Sequence, residues 1–382
     1  MLFRACTLGD AERGVLAEIE RLTAQLRLQL HEPRRWGGSL RRLSFARNIQ
    51  GSNSIEGYEA ALDDAAAVAL GEPPMDADTG TRVALEGYRN AMTYVLQLVQ
   101  EPTVTIDTSL LKSLHFMMTC YDLKNRPGRW RSGVICVRND ETGDIVYEGA
   151  DIDLVPSLMD EFVEDLRADA ALPPLVHAAM AHLNLVMIHP YRDGNGRMAR
   201  CLQSLVLAAN GTLSPVFMSV EEYLGRNTDA YYALLRDVGG GSWQPERDTR
   251  PWIRFMLTAH LRQARTLQRR VRESERLWEE IERLAKAHAL PERTIDLLFD
   301  AASGLRVRNA TYRALAEQLD EEISEQTASR DLRQLVEAGL LVAQGERRGR
   351  FYVASRPLAD LRLAIVRARD PRDSSDPFNP VA

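Results

Sequence analysis

One stretch of twelve residues constrains this chain more than any other: His189-Pro190-Tyr191-Arg192-Asp193-Gly194-Asn195-Gly196-Arg197-Met198-Ala199-Arg200. An apolar helical run from Val176 to Ile188 must stop at His189-Pro190, because the residue before a proline is pushed out of the α region and proline cannot continue the ladder. His189 therefore stands at a helix exit. Gly194 and Gly196 lack Cβ atoms, so their backbone amides can approach a ligand closely. A second helix, Arg197 to Ala209, starts there, and its first amides and positive dipole end make an anion site. Arg197 and Arg200 rise from one face of its first turn with guanidinium forks that match phosphate. Asp193 adds a hard oxygen ligand, which fits Mg²⁺ bridging phosphates. His189 is left as a general base. The combination suits a nucleoside triphosphate.

The segment resembles the signature of the Fic (Fido) family, HPFx[D/E]GNGRxxR, with Tyr191 where Phe is usual. Members of that family usually transfer AMP from ATP to a protein hydroxyl. Upstream, Ser52-Asn53-Ser54-Ile55-Glu56-Gly57 fits the family's inhibitory motif, [S/T]xxxE[G/N]. Ser52 and Glu56 share a helical face at i, i+4, and Gly57 is a suitable residue to end the helix. A carboxylate in a last turn faces the negative end of its own helix, so a cation must compensate it. The resemblance names that cation as Arg200, which otherwise binds the γ-phosphate, and makes Glu56 an autoinhibitory residue.

The remaining pattern reads as mainly helical. Val15, Ile19, Leu22 and Leu26 recur at helical spacing, and helices are expected over Arg82–Val99 and Ser109–Cys120, with His115 structural. Between Arg129 and Val155 two short β-branched runs, Val134–Val137 and Ile145–Tyr147, flank Asn139–Asp144 and predict a hairpin. Its acidic tip lacks the spacing of a calcium loop and reads as a solvated turn. In the resemblance this hairpin is the flap that aligns a target segment as an added strand. Pro127-Gly128-Arg129-Trp130-Arg131 precedes it, and Tyr147-Glu148-Gly149-Ala150 replaces the tyrosine and prolines that often follow. Asn227–Tyr232 resembles the segment carrying aromatic residues near adenine, which makes Tyr231 a nucleotide-binding candidate. From Pro251 a long helical stretch through Leu284 is expected to connect two domains and to contribute to a homodimer.

Beyond Pro291, helices at Glu292–Ala301, Tyr312–Leu319 and Glu325–Ala338 precede two apolar runs with a basic turn between them. This is similar to a winged helix-turn-helix, with Gln326, Thr327, Ser329, Arg330 and Arg333 on the recognition helix. Glu317, Asp320, Glu321, Glu322, Glu325 and Asp331 crowd that face, so protein contacts are an equal use of it. The segment Asp370–Pro377 is polar, proline-rich and expected to be disordered.

With 382 residues and a net charge of −6, the chain can hold two or three domains and has no global field for nucleic acid or an anionic membrane. Cys6, Cys120, Cys136 and Cys201 show no CxxC spacing, no signal peptide is recognisable, and no apolar stretch spans a bilayer, so the protein is expected in the cytoplasm. The reading is a mainly α protein: an N-terminal helical region with the inhibitory motif (1–95), a Fic helical bundle with a β-hairpin flap (96–262), a connecting helix (263–288), a C-terminal winged helix-turn-helix-like domain (289–355) and a tail (356–382). The function expected from the resemblance is AMP transfer from ATP, with Mg²⁺, to a Ser, Thr or Tyr hydroxyl of a protein target or of the chain itself. His189 is the base, Asp193 the metal ligand, and Gly194, Asn195, Gly196, Arg197, Arg200 and Tyr231 bind nucleotide. The alternatives are a DNA-binding regulator that senses nucleotide, or a Fic enzyme that removes AMP or uses another nucleotide.

Overall fold

The structure is a computed structural model that describes residues 1–31, 34–101, 103–138, 145–168, 172–211, 214–318, 321–371, 373 and 375–379. Helices α1 (Asp10–His31), α2 (Gly37–Ser54), α3 (Leu62–Ala69), α4 (Thr79–Leu98) and α5 (Thr108–Thr119) precede an antiparallel pair, β1 (Cys136–Arg138) and β2 (Ile145–Glu148). Then come α6 (Val155–Arg167), α7 (Pro174–Ile188), α8 (Asn195–Ala209), α9 (Pro215–Met218), α10 (Glu221–Arg226), α11 (Thr228–Gly239) and α12 (Arg250–Ala287). The C-terminal part contains α13 (Ile295–Ala302), α14 (Asn309–Gln318), α15 (Glu325–Glu337), β3 (Leu341–Gln344), β4 (Phe351–Ala354) and α16 (Arg356–Arg367). The expected hairpin tip, Asn139–Asp144, and Leu319 and Asp320 lie outside the described residues.

The core is built around α7, which is apolar on every side and buried nearly throughout. A helix of that kind needs partners all round. It packs on α8, α6 and α12, and Trp252 donates its indole N–H to the Ala179 carbonyl at 2.8 Å. The polar groups inside are paired. His182 sits between Gln203 Oε1 at 2.7 Å and the Tyr231 hydroxyl at 2.8 Å, and Gln203 Nε2 meets His260 Nε2 at 3.1 Å. Burial pushes His182 down to about 3 and His260 to about 4, so both rings are neutral links of the network. At the chain's start, Phe3 and Asn184 exchange two hydrogen bonds that hold the N-terminal segment on α7.

α2 has no polar face to speak of, because it is wedged between neighbours. Asn48 Nδ2 donates to the Val216 carbonyl, and Gly51 lies so close to α10 that a Cβ there would be 2.6 Å from the Glu221 carbonyl oxygen. That approach fixes the position of the helix end that carries Ser52 and Glu56.

The long helical stretch expected from Pro251 through Leu284 is one 38-residue helix, α12, that starts at Arg250 in the core and runs to Ala287 without a break. The tail expected from 356 begins instead with α16, whose Leu358 is buried and which packs on α12 and α13. The C-terminal part also docks on the N-terminal region. Arg42 of α2 binds Asp300 at 2.5 and 2.6 Å, and Arg306 reaches Asp63, Asp64 and Asp76. Asp331, expected among the acids near the recognition face, is buried and held by Arg293 and the Tyr312 hydroxyl.

Candidate active site

His189 ends α7 in a left-handed conformation, φ +53°, which an L-residue adopts only when its surroundings hold it there. Arg131 does the holding. Its main-chain N–H donates to the Pro190 carbonyl at 2.8 Å and its Nε to the His189 carbonyl at 2.8 Å. The remaining guanidinium nitrogens bind the carbonyls of Gly133 and Ala150, on the two flanks of the hairpin. One arginine thus ties the base to the strands beside it. His189 Nδ1 lies 3.1 Å from the Val186 carbonyl, which can only accept, so the proton is on Nδ1 and Nε2 keeps its lone pair. Burial pushes the imidazole pKa below its ordinary value, with Arg131 acting in the same direction.

Beneath the loop, Tyr191 is fully buried and stacks on His115 with ring centroids 3.7 Å apart. Its hydroxyl donates to the Leu111 carbonyl at 3.0 Å, so the oxygen that distinguishes it from phenylalanine has a partner. His115 spans the loop. Nε2 contacts the Asp193 carbonyl at 2.8 Å, while Nδ1 accepts from the Gly128 N–H at 2.9 Å, and burial lowers its pKa to about 4. Asn195 corrects its expected role. Its Oδ1 accepts from the Tyr191 N–H and its Nδ2 donates to the Tyr191 carbonyl, both at 2.9 Å, so the side chain closes the loop and only its backbone amide is available to a ligand.

The first bond of α8 runs from Met198 N–H to the Gly194 carbonyl, so the amides of residues 195–197 precede the ladder. A carboxylate lies beside them, against Gly196. Glu56 Oε1 would be 2.3 Å from a Cβ on Gly196 and accepts from Arg200 Nη2 at 2.6 Å. Ser52 holds the same guanidinium twice, with Oγ accepting from Nε and the carbonyl from Nη2, each at 2.9 Å. Although burial opposes it, the Glu56 charge raises the Arg200 pKa further above its ordinary value. Gly57, φ +80°, closes α2: its N–H bonds the Ser54 carbonyl while Tyr58 N–H bonds that of Asn53, the Schellman pattern that aims residue 56 away from its own helix. Arg197 is as deeply buried, donates to the Tyr121 hydroxyl at 2.9 Å and lies over the Tyr58 ring. Arg200 Nη1 and Arg197 Nε are buried with no partner among the described residues. Two guanidiniums with spare donors at a helix N-terminus call for an anion with several oxygens.

Asp193 leans over the open side. Its Oδ1 accepts from Gly194 N–H at 2.7 Å, and Oδ2 lies 3.6 Å from Arg197, with the side chain 43% exposed. Among the described residues no group of three metal-ligating side chains exists. One exposed carboxylate fits a metal that brings most of its ligands as phosphate and water, as Mg²⁺ does, and does not fit an all-protein cage.

Tyr231 is not beside the open site. It is 1% exposed, bonded to His182 and packed on Trp252, so it is part of the core under Arg200. Its neighbour Tyr232 is the partly exposed ring, its hydroxyl donating to the Ile55 carbonyl next to Glu56. Sequence reasoning also missed Arg131, Tyr58 and Tyr121. Their partners are main-chain carbonyls or each other's aromatic surroundings, which leave no spacing to read.

Along the hairpin, Cys136 pairs with Glu148 and Val137 with Tyr147. The Tyr147 hydroxyl donates to the Met187 carbonyl at 2.8 Å, which anchors β2 two residues before the base. Val134, Val137 and Ile145 remain exposed, beside a groove of about 310 Å³ lined by Trp130, Arg131 and Ile135.

Residues 105–207 match the family model described as Fic/DOC family. The chain is 33% identical over 117 residues to protein adenylyltransferase fic-1 of Caenorhabditis briggsae, covering 29% of this chain and 21% of that protein. It is 28% identical over 255 residues to protein adenylyltransferase Fic of Drosophila willistoni, covering 65% and 44%. It therefore spans less than half the length of these curated relatives. Among solved structures, a Fic family protein from Desulfovibrio desulfuricans G20 superposes with a TM-score of 0.57 at 21% identity, over 93% of this chain and 99% of that one. Fic-1 (residues 134–508) of Caenorhabditis elegans gives 0.53 at 20% identity, over 68% and 71%. The loop that joins α7 to α8, the neutral histidine at its start and the two buried arginines at its end lie in the matched segment, and this chain carries a domain of the Fic/DOC family.

Proposed function

We propose that the protein transfers AMP from ATP to a Ser, Thr or Tyr hydroxyl of a protein target, itself included, and that Glu56 holds it inactive. The observation that carries this is the placement of one carboxylate on Arg200 and against Gly196, where its charge acts on His189, whose Nε2 is free. In the reaction the hydroxyl gives its proton to His189 Nε2 while its oxygen bonds to the α-phosphorus, and the bond to pyrophosphate breaks. The amides of residues 195–197 and Arg197 stabilise the phosphate oxygens, and Arg200 takes the γ-phosphate once Glu56 has left. Mg²⁺ held by Asp193 would supply charge neutralisation between the phosphates. The exposed edge at Val134–Val137 supports recognition of the target as an added strand, through main-chain hydrogen bonds. The four cysteines are free thiols, which fits the cytoplasm. No helix among the described residues is long and apolar enough to cross a membrane.

A second reading concerns the C-terminal part. Three helices and an antiparallel hairpin follow one another as in a winged helix, and Ser324, Glu325, Gln326, Ser329, Arg330 and Arg333 line an open groove on α15, two arginines against one carboxylate. With Asp331 turned inward, that groove favours a nucleic-acid contact more than the sequence does.

The test uses wild type, Glu56→Gly and Glu56→Gly/His189→Ala with Mg²⁺ and α-labelled ATP. Label on protein that rises in the single variant and vanishes in the double one is the expected result. No label with any variant that still binds ATP would overturn AMP transfer and leave AMP removal or another nucleotide.

A further inference from the structure

Away from the signature, six arginines converge on one cleft: Arg47 of α2, Arg226 at the end of α10, Arg269 and Arg270 of α12, and Arg362 and Arg369 at and after α16. Leu40, Leu43 and Phe299 line the same cleft, and its volume is about 210 Å³. Two carboxylates face the arginines, and both are saturated. Glu222 is held by Arg270 at 2.6 and 2.7 Å and by Arg226 at 2.7 Å, while Glu273 is held by Arg369 at 2.5 and 2.7 Å. Four positive charges remain in excess, six arginines against two glutamates.

Two of the arginines are weakly engaged, Arg47 only by a long ion pair to Glu222. Arg47, with its side chain only 11% exposed, makes no hydrogen bond among the described residues and comes no nearer than 4.0 Å to Glu222. Arg362 has neither a hydrogen bond nor an ion pair there, and Glu273 is its nearest opposing influence. Burial and then Arg270 push the Arg47 pKa down to about 9, the sign of a cation without enough counter-charge. Ser303 lines the cleft too, and its Oγ is buried without a partner. The two guanidiniums are half-buried in the cleft and the Ser303 hydroxyl is an orphan, which an anion with several oxygens would complete.

We infer that this cleft is a second anion site, separate from the signature loop, and that its ligand class is a diphosphate group. A diphosphate presents enough oxygens for Arg47, Arg362 and Ser303 at once, and the cleft has room for about seven waters at ~30 Å³ each. The site joins α12 and α16 to α2. Arg47 lies five residues, or about 7.5 Å along the helix, before Ser52, so an occupant braces the helix that carries Glu56.

The experiment measures binding of inorganic pyrophosphate, ADP and inorganic phosphate to the full chain by calorimetry without Mg²⁺, for wild type, Arg362→Gln and Arg197→Gln. Arg362→Gln is expected to weaken the cleft's binding of pyrophosphate and ADP at least about tenfold, as loss of a charge-assisted hydrogen bond implies, while Arg197→Gln keeps that component and loses only binding at α8. Without ligand, Arg362→Gln should melt no lower than wild type, because it removes repulsion; a lower midpoint would mean that the arginine is structural. Binding unchanged in Arg362→Gln, or lost altogether in Arg197→Gln, would place the anion at α8 and overturn the second site. Phosphate binding as tightly as pyrophosphate would overturn the diphosphate assignment. None of these readouts requires AMP transfer, so the inference and the proposed activity fail separately.

Discussion

Removing Glu56 should make the resting protein less stable while freeing its site. Arg200 is 1% exposed and Glu56 25%, with 2.6 Å between Nη2 and Oε1. Unit charges about 4 Å apart attract by about 4 kcal/mol at an effective dielectric of 20, and stripping a buried cation of its partner costs about 3–5 kcal/mol. Here the Ser52 contacts survive and the carboxylate is partly hydrated, so the expected loss for Glu56→Gly is about 1–3 kcal/mol. Glu56→Gln keeps an acceptor oxygen but no charge, and should fall between the variant and wild type.

Thermal melts of the three proteins with and without ATP and Mg²⁺ read this directly. At about 2–4 °C per kcal/mol for domains of moderate size, the ligand-free variant should melt a few degrees below wild type. ATP should then recover most or all of that loss, because a ligand at a hundredfold its dissociation constant adds about 2.7 kcal/mol. Wild type should respond less, since its Arg200 is already engaged. If Glu56→Gly melted at or above wild type without ATP, the carboxylate would not be compensating a buried charge. The argument for a lock at this position would then fail.

Three further outcomes follow from the geometry. Arg131→Lys cannot bridge the His189, Gly133 and Ala150 carbonyls, so label transfer in the Glu56→Gly background should drop at least about tenfold, as misplacement of a base does; an unchanged rate would refute the clamp. Tyr191→Phe loses only the bond to the Leu111 carbonyl and should cost about 1 kcal/mol in urea unfolding with transfer intact; loss of transfer would give the hydroxyl a role the structure does not show. Because burial lowers the His189 pKa, its neutral form persists below the ordinary histidine value, and the acid limb of the transfer rate should have its midpoint below about 6.5; a midpoint above that value would contradict His189 as the buried base.

The parts of the site that sequence reasoning reached share a property: their chemistry depends on spacing along one or two helices. The histidine at a helix exit before proline, the glycines at a helix start, the arginines one turn apart and the Ser52–Glu56 pair all follow from local rules. Where the outcome depended on which way a side chain turns across the fold, the reading failed or stayed silent. Asn195 faces Tyr191 and not the ligand, and Tyr231 faces His182 and Trp252. Arg131 binds carbonyls, which every residue carries, so no pattern marks it. α16 is a different case. Leu358, Leu361 and Ile365 have helical spacing, and the proline-rich composition downstream hid it.

The proposed stop at Glu56 rests on a balance of opposing terms at one carboxylate. At the C-terminal end of α2, Glu56 faces the negative pole of its own helix, which disfavours it by about 0.3–1 kcal/mol, yet it sits at the positive pole of α8 and on Arg200. The net hold is the difference between these terms, so it is strong enough to keep Arg200 engaged and weak enough to be exchanged for a triphosphate with more oxygens. Ser52 keeps the guanidinium in place in either state. Displacement therefore requires the Glu56 side chain to turn off Arg200, while the Tyr232 hydroxyl keeps its bond to the Ile55 carbonyl. It does not require α2 to leave Gly51's tight seat on α10.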